Sequence, residues 1–133
     1  MAQQVELPVA SLLIDEENPR LSSPNAGQRD ALRSLAKYQG RKLQMLANDI
    51  LLHGLNPSDL TIVMPFDTDE NRYIVLDGNR RLAALRALEN PDSFVDAVGK
   101  GILTEIRKLS RKYQTAPQET IPCLVVRDRD EAL

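Results

Sequence analysis

The sequence predicts an α+β domain in which a small mixed β-sheet carries packed helices. Four short segments have the apolar character and flanking turn residues of strands: Gln4–Val9, Leu60–Phe66, Arg72–Leu76 and Thr120–Arg127. Four segments have helical character: Gln28–Gln39, Arg41–His53, Asn79–Glu89 and the region 92–116. Because strands and helices both occur and the strands at 60–66 and 72–76 are close neighbours, we expect a sheet with helices packed against it.

Length and composition limit the classes of protein that are possible. The 133 residues fit one domain, 1–133, with a single core. An apolar fraction of 42% and a charged fraction of 27% are those of an ordinary globular protein, and a net charge of −2 argues against a protein that coats nucleic acid. One cysteine, Cys123, and one histidine, His53, supply neither an internal disulfide nor a zinc cluster. We therefore expect a cytoplasmic chain without a bound metal, and the short apolar runs predict no membrane span.

The first half of the chain predicts an edge strand followed by a helical pair. Pro8 is tolerable only at an edge or at the end of a strand. An acidic turn, Asp15–Arg20, precedes the two helices, which Gly40 separates. Gly54 supplies the stop signal of the second helix. We expect His53, in its last turn, to interact with the helix C-terminus and not with a ligand.

The second half predicts a hairpin, two helical regions and a last strand. The strands at 60–66 and 72–76 pair antiparallel through a polar connection. The region 92–116 is predicted to be a helical insertion on the rim, away from the central site. Its predicted apolar stripe comprises Ile102, Ile106, Leu109 and Tyr113. Its opposite face collects Arg107, Lys108, Arg111 and Lys112, either as a solvated face or as a DNA contact.

The end of the chain carries two further expectations. Cys123, in the last strand, is expected to be a small buried hydrophobe. The residues from Asp128 to Leu133 look like the start of a capped helix. We therefore expect the chain to be a fragment of a longer polypeptide.

The junction between a strand and a helix at Tyr73–Leu88 contains the candidate site. Gly78 permits a positive-φ turn, and Asp77 or Asn79 can cap the helix that follows. The unpaired amides at a helix start carry roughly +0.5 charge, and Arg80 and Arg81 add full positive charges. The pattern predicts an anion site, with phosphate as the expected anion.

A helical wheel distinguishes the arginines of this helix. Arg81 falls within the arc of Leu82, Leu85 and Leu88, so it is expected to point along the core side toward a ligand or a carboxylate. The alternative is that Arg81 pairs with Asp77 or another acid and only fixes the turn. Arg86 falls on the side predicted to face solvent.

Five motifs in one order resemble the N-terminal domain of ParB, in the ParB/sulfiredoxin superfamily. They are Asn18-Pro19-Arg20, His53-Gly54-Leu55-Asn56-Pro57, the strand at 60–63, Tyr73 to Arg81, and Ile121 to Val126. The resemblance covers nearly the whole chain apart from 92–119. It implies a small α+β domain whose glycine-arginine turn holds a nucleoside triphosphate, CTP or ATP, with or without Mg²⁺.

The resemblance also assigns site residues by position. Gly78, Asn79, Arg80 and Arg81 would surround the phosphates, next to Asp77. Gly54, Leu55 and Asn56 would lie near the base or sugar, and Asn18 and Arg20 would approach the same pocket. The expected partners are DNA, contacted through regions outside these 133 residues, and a second copy of the chain in a homodimer.

Two departures from the family pattern affect the assignment of an activity. ParB usually has glutamate at the position of Asn79, and sulfiredoxin has its reactive cysteine there. Cys123 lies far along the chain, so a sulfiredoxin-type reductase is not expected. Asp77 instead resembles the Asp-Gly-Gln-x-Arg pattern of relatives among DNA-modification and phage-defence proteins.

Three functional interpretations remain open from the sequence. The leading one is a nucleotide-binding switch domain of a ParB-like, DNA-associated protein of the partition type. The second is an enzyme on the same scaffold, a nuclease, nucleotide hydrolase or phosphotransferase that uses Asp77, Glu16 or Glu17 as base or Mg²⁺ ligand. The third is a protein-interaction module in which Arg80 and Arg81 only pair with acids.

Overall fold

The computed structural model describes residues 2–17, 27–56, 58–66 and 69–132, without the side chains at 69 and 70. The described residues form a five-stranded sheet and four α-helices, so the α+β prediction is confirmed. The strands are β1 (Gln3–Pro8), β2 (Leu12–Leu13), β3 (Thr61–Phe66), β4 (Asp69–Asp77) and β5 (Thr120–Val125). The helices are α1 (Gln28–Gln39), α2 (Arg41–His53), α3 (Asn79–Glu89) and α4 (Lys100–Tyr113).

The sheet is mixed, with the strand order β1-β5-β3-β4-β2. β3 pairs antiparallel with β4, as predicted, and places Val63 opposite Val75. β5 joins β3 in parallel and β1 antiparallel, so β1 lies at an edge with Pro8 as its last residue. β2, which pairs in parallel with β4, was not predicted because two residues are too few for an alternating pattern.

Helix α3 is the central helix of the domain. Its bounds, and those of α1 and α2, match the predictions from the sequence. Its buried residues are Asn79, Leu82, Ala83, Ala84, Leu85, Ala87 and Leu88. It packs against α1, α2 and α4, which confirms a helix covered on more than one side. The start of α3 is therefore held rigidly at the end of β4.

The region 92–116 is part of the core, and its predicted place on the rim is wrong. A short 3₁₀ turn at Pro91–Phe94 precedes α4, and α4 packs against α2 and α3. Phe94 and Ile106 are fully buried, and Leu103 is nearly so. The predicted apolar stripe packs on the core, with Ile106 and Tyr113 buried and Ile102 and Leu109 partly buried, and Leu103 is a buried residue that the stripe did not include. Ser110 can lie in this stripe because its hydroxyl donates a 2.6 Å hydrogen bond to the carbonyl of Leu88.

The last described residues lie against the sheet. β5 ends at Val125, although the amide of Val126 still donates to the carbonyl of Val63 at 2.8 Å. The carboxylate of Asp128 accepts from the amide of Glu131 at 3.0 Å, the contact expected at a helix start, and a 3₁₀ turn follows at Asp130–Ala132. Among the described residues, no helix is both long and apolar enough to cross a membrane.

Candidate functional site

The candidate site begins at the turn between β4 and α3. Gly78 has φ of 112°, which confirms the predicted positive-φ turn. A Cβ at Gly78 would lie 3.2 Å from Nη1 of Arg81 and from the side chain of Thr61, so the turn also packs closely on β3. A glycine is therefore needed here for two reasons: it adopts the positive φ, and its missing Cβ leaves room for Arg81 to contact β3.

The predicted cap of α3 is wrong. Gly78 precedes the helix, and no side chain caps the first-turn amides. Asn79 is buried and its side chain is used elsewhere: its oxygen accepts from the amide of Asp15 at 3.0 Å, and its nitrogen donates to the carbonyl of Val75 at 2.9 Å. The uncapped amides keep their partial positive charge available to a ligand.

A cavity of about 740 Å³ opens at this helix start. Its lining includes Asp77, Gly78, Asn79, Arg80 and Arg81, five of the predicted site residues. The other lining residues are Asp15, Gln39, Lys42, Met45, Leu46, Asp59 and Leu76. The structure therefore brings the β4–α3 turn together with the end of α1, the first half of α2 and the residues before β3.

The two arginines of the turn differ in their surroundings. The Arg81 side chain is only 17% exposed, and it donates to the hydroxyl of Thr61 at 2.8 Å and to the carboxylate of Asp59 at 2.5 Å. Its predicted position on the core side is confirmed, and its acidic partner is Asp59 and not Asp77. Arg80 is exposed and has no ion pair among the described residues. Arg80 is thus free to bind an anion, whereas Arg81 must give up its contact with the Asp59 carboxylate before it can bind one.

Charge in the cavity favours an anion once these pairs are taken into account. The cations of the lining are Lys42, Arg80 and Arg81, and the acids are Asp15, Asp59 and Asp77. Asp59 is paired with Arg81, and Asp15 with an arginine from outside the cavity. Among the lining residues that the structure describes, two unpaired cations and the amides of α3 then face a single unpaired carboxylate.

Asp15 connects the cavity to the last described residues. Its carboxylate is nearly buried and accepts hydrogen bonds from both terminal guanidinium nitrogens of Arg129, at 2.7 and 2.8 Å. Arg129 also pairs with Glu17 at 2.8 Å. The hydrogen bond to Asp15 raises the pKa of Arg129, so the guanidinium of Arg129 stays charged. The sequence analysis missed this pair, since the two residues lie 114 positions apart and no local pattern links them.

Three other predicted ligand residues are not among the described residues that line the cavity. Gly54, Leu55 and Asn56 lie in the loop before β3, where Asn56 accepts a hydrogen bond from the hydroxyl of Ser58 at 2.8 Å. Asn18 and Arg20 lie outside the described residues. A ligand role for these five residues stays a prediction.

The acids of the enzyme interpretation are not brought together. Asp77 lines the large cavity, whereas Glu16 and Glu17 line a separate space of about 250 Å³. Glu16 accepts from the amide of Gly27 at 3.0 Å and from the amide group of Gln28 at 2.8 Å. Within the described ranges, no group of three or more His, Cys, Asp or Glu is placed to hold a metal ion.

The exposed face of α4 carries the predicted basic residues. Arg107 pairs with Asp92, and Lys108 pairs with Glu105. In the part of the chain that the structure describes, Arg111 and Lys112 have no ion pair. These pairings weaken the charge of the face without removing it, and DNA contact there stays a prediction.

Fold and cavity together define an α+β domain with a cationic cavity at the start of a buried central helix. No family model matches the chain, and no curated protein matches it. Its structure is similar to that of the C-terminally truncated chromosome-partitioning protein ParB from Caulobacter crescentus complexed with CTP-gamma-S, with a TM-score of 0.49 and 19% sequence identity. The match covers 98% of this chain and 48% of that protein, so the chain spans about half its length.

Proposed function

We propose that this chain is a nucleotide-binding domain that holds the phosphates of CTP or ATP at the start of α3 and acts as a switch in a ParB-like protein associated with DNA. The observation that carries the proposal is the 740 Å³ cavity, in which uncapped helix amides, Lys42 and Arg80 face the same space. Ligand pockets commonly measure about 300–1,000 Å³, so the cavity has room for a nucleotide.

The charge arrangement supports a polyanionic ligand. Helix amides bind phosphate oxygens through directed hydrogen bonds, and a guanidinium can add two parallel ones. Arg80 is exposed and unpaired among the described residues, so it can turn to a ligand without breaking an existing contact. Asp77 belongs to no group of three or more potential metal ligands among the described residues, so the structure gives the enzyme interpretation no advantage over binding.

The proposal is tested by thermal unfolding with CTP, ATP and GTP, each with and without Mg²⁺. A nucleotide at about 100 times its dissociation constant should add ~2.7 kcal/mol to the free energy of unfolding. Arg80→Gln should weaken binding about tenfold, because one charge-assisted phosphate contact is lost, while the unliganded melting temperature stays unchanged.

Arg111→Gln is the matched control, since Arg111 is also exposed and unpaired in the described chain but lies on α4, away from the cavity. It should bind nucleotide like the wild type. The proposal fails if no nucleotide raises the melting temperature, or if the Arg80 and Arg111 variants lose affinity equally.

A further inference from the structure

One largely buried side chain in the cavity wall has no hydrogen-bond partner among the described residues. The buried polar or charged residues of the described chain are Asp15, Gln39, Thr61, Asn79 and Ser110. Four of them make side-chain hydrogen bonds, whereas Gln39 makes none to the described chain, although it is only 8% exposed. The fully buried side-chain atoms of the described chain that lack a partner do not include the amide atoms of Gln39, so its carboxamide keeps access to the space beside it. Gln39 lines the cavity, so a ligand can supply the missing partners.

The surroundings of Gln39 differ from those of the phosphate end. Gln39 is the last residue of α1, and its neighbours in the lining from α2 are Lys42, Met45 and Leu46. The groups proposed to bind phosphate lie in a different part of the lining, at the β4–α3 turn. The cavity thus combines a cationic region with a region that offers apolar surface and one free carboxamide.

We infer that Gln39 is a specificity-determining residue that hydrogen-bonds the base of a nucleotide whose phosphates lie at the start of α3. A carboxamide presents a donor and an acceptor side by side, which matches the edge of a nucleobase with an adjacent donor and acceptor. Met45 and Leu46 offer the apolar contact that a base ring needs. This inference rests on the proposed function. It gives the reason why the cavity would bind a nucleotide more tightly than inorganic polyphosphate.

The unliganded protein should not depend on the Gln39 amide for its stability. Gln39→Met keeps the length of the side chain and removes both polar atoms. Because no hydrogen bond of the described chain is lost, the melting temperature of the unliganded variant should equal or exceed that of the wild type. A core glutamine with a hidden structural role would instead give a lower melting temperature.

The deciding experiment is calorimetric titration with two probes, the better of CTP and ATP, and inorganic triphosphate. The wild type should bind the nucleotide more tightly than inorganic triphosphate. Gln39→Met should bind the nucleotide about tenfold more weakly and inorganic triphosphate as the wild type does. Gln44→Met, on the same helical pair but outside the lining, is the matched control and should change neither affinity. Gln39→Asn, which withdraws the amide by one methylene, is a second variant with the same expected result.

The outcomes separate this inference from the proposed function. If the wild type binds neither probe, the proposed function fails and this inference fails with it. If both probes bind but Gln39→Met keeps wild-type affinity for the nucleotide, or loses affinity for both probes equally, the phosphate site stands and the role of Gln39 is wrong.

Discussion

At the scale of single residues, Arg81 shows how neighbours decide what an arginine can do. Its guanidinium lies at the helix start that the sequence identified, but Asp59 and Thr61 already bind it. Asp59 is 62% exposed, so breaking its ion pair with Arg81 should cost little free energy. An anionic ligand must therefore compete with an internal carboxylate for this arginine.

Asp59→Asn should raise the affinity for inorganic triphosphate severalfold, because the competing charge is removed while Arg81 stays in place. Calorimetric titration measures this directly. Asp92→Asn is the matched control, since Asp92 forms a comparable exposed pair with Arg107 away from the cavity. An unchanged or weaker affinity in Asp59→Asn would show that Asp59 does not compete for the site.

Arg81→Ala should lower the affinity for inorganic triphosphate. It should also lower the free energy of unfolding of the unliganded protein by ~1 kcal/mol, since two existing contacts are lost.

At the scale of elements, α3 is fixed by contacts that its own sequence does not reveal. Arg86 was predicted to face solvent, and this is wrong: the side chain is 24% exposed and donates to the carbonyls of Val9 and Leu12, both at 2.9 Å. It also pairs with Glu89 at 2.8 Å. The helical wheel failed because the chain between β1 and β2 covers that side of the helix. Arg86 therefore anchors the first strands to the central helix.

Arg86→Ala should lower the free energy of unfolding by about 2–4 kcal/mol, because two partly buried carbonyls and one carboxylate lose a charged donor. Urea denaturation measures this, with Arg111→Ala on the exposed face of α4 as the control that should change stability little. Nucleotide affinity of the folded Arg86 variant should be unchanged, since Arg86 does not line the cavity. A change in stability no larger than that of the control would contradict the anchoring role.

At the scale of the whole molecule, one core joins the sheet to the helices and encloses Cys123. Its thiol is buried in β5, as predicted. Burial, and next the charge of Glu6, raises the pKa of this thiol from 9.0 to about 11, whereas Arg81 lowers it. The folded state therefore favours the neutral thiol more strongly than the unfolded chain does.

This difference in pKa predicts a pH dependence of stability. The contribution of Cys123 is fully present below pH ~9 and is lost as pH rises toward about 11, because the unfolded chain releases its proton first. The free energy of unfolding should fall by about 1 kcal/mol per pH unit in that window. Cys123→Ala should lack this fall between pH 9 and 10. Above pH 10 a slope should remain, since burial also raises the pKa of Tyr113. Equal pH profiles for the two proteins in urea denaturation would contradict the prediction.

The sequence by itself determined most of the elements and the place of the candidate anion site. The bounds of α1, α2 and α3, the antiparallel β3–β4 pair and the Gly78 turn follow from local periodicity and from glycine, which act over a few residues. Asp77, Gly78, Asn79, Arg80 and Arg81 line one cavity because they are consecutive in the chain.

Only the tertiary structure decided which groups meet those residues. Asn79 binds Asp15, Arg81 binds Asp59, and Arg129 reaches Asp15 from the far end of the chain. The same holds for Gln39, which local sequence marks only as the end of α1. Such contacts join residues whose separation along the chain carries no periodic signal, and they form only when a common core brings their elements together. The chain's local sequence therefore specified where an anion could bind, and the packing of α1, α2 and β3 around α3 decided which cations stay free to bind it.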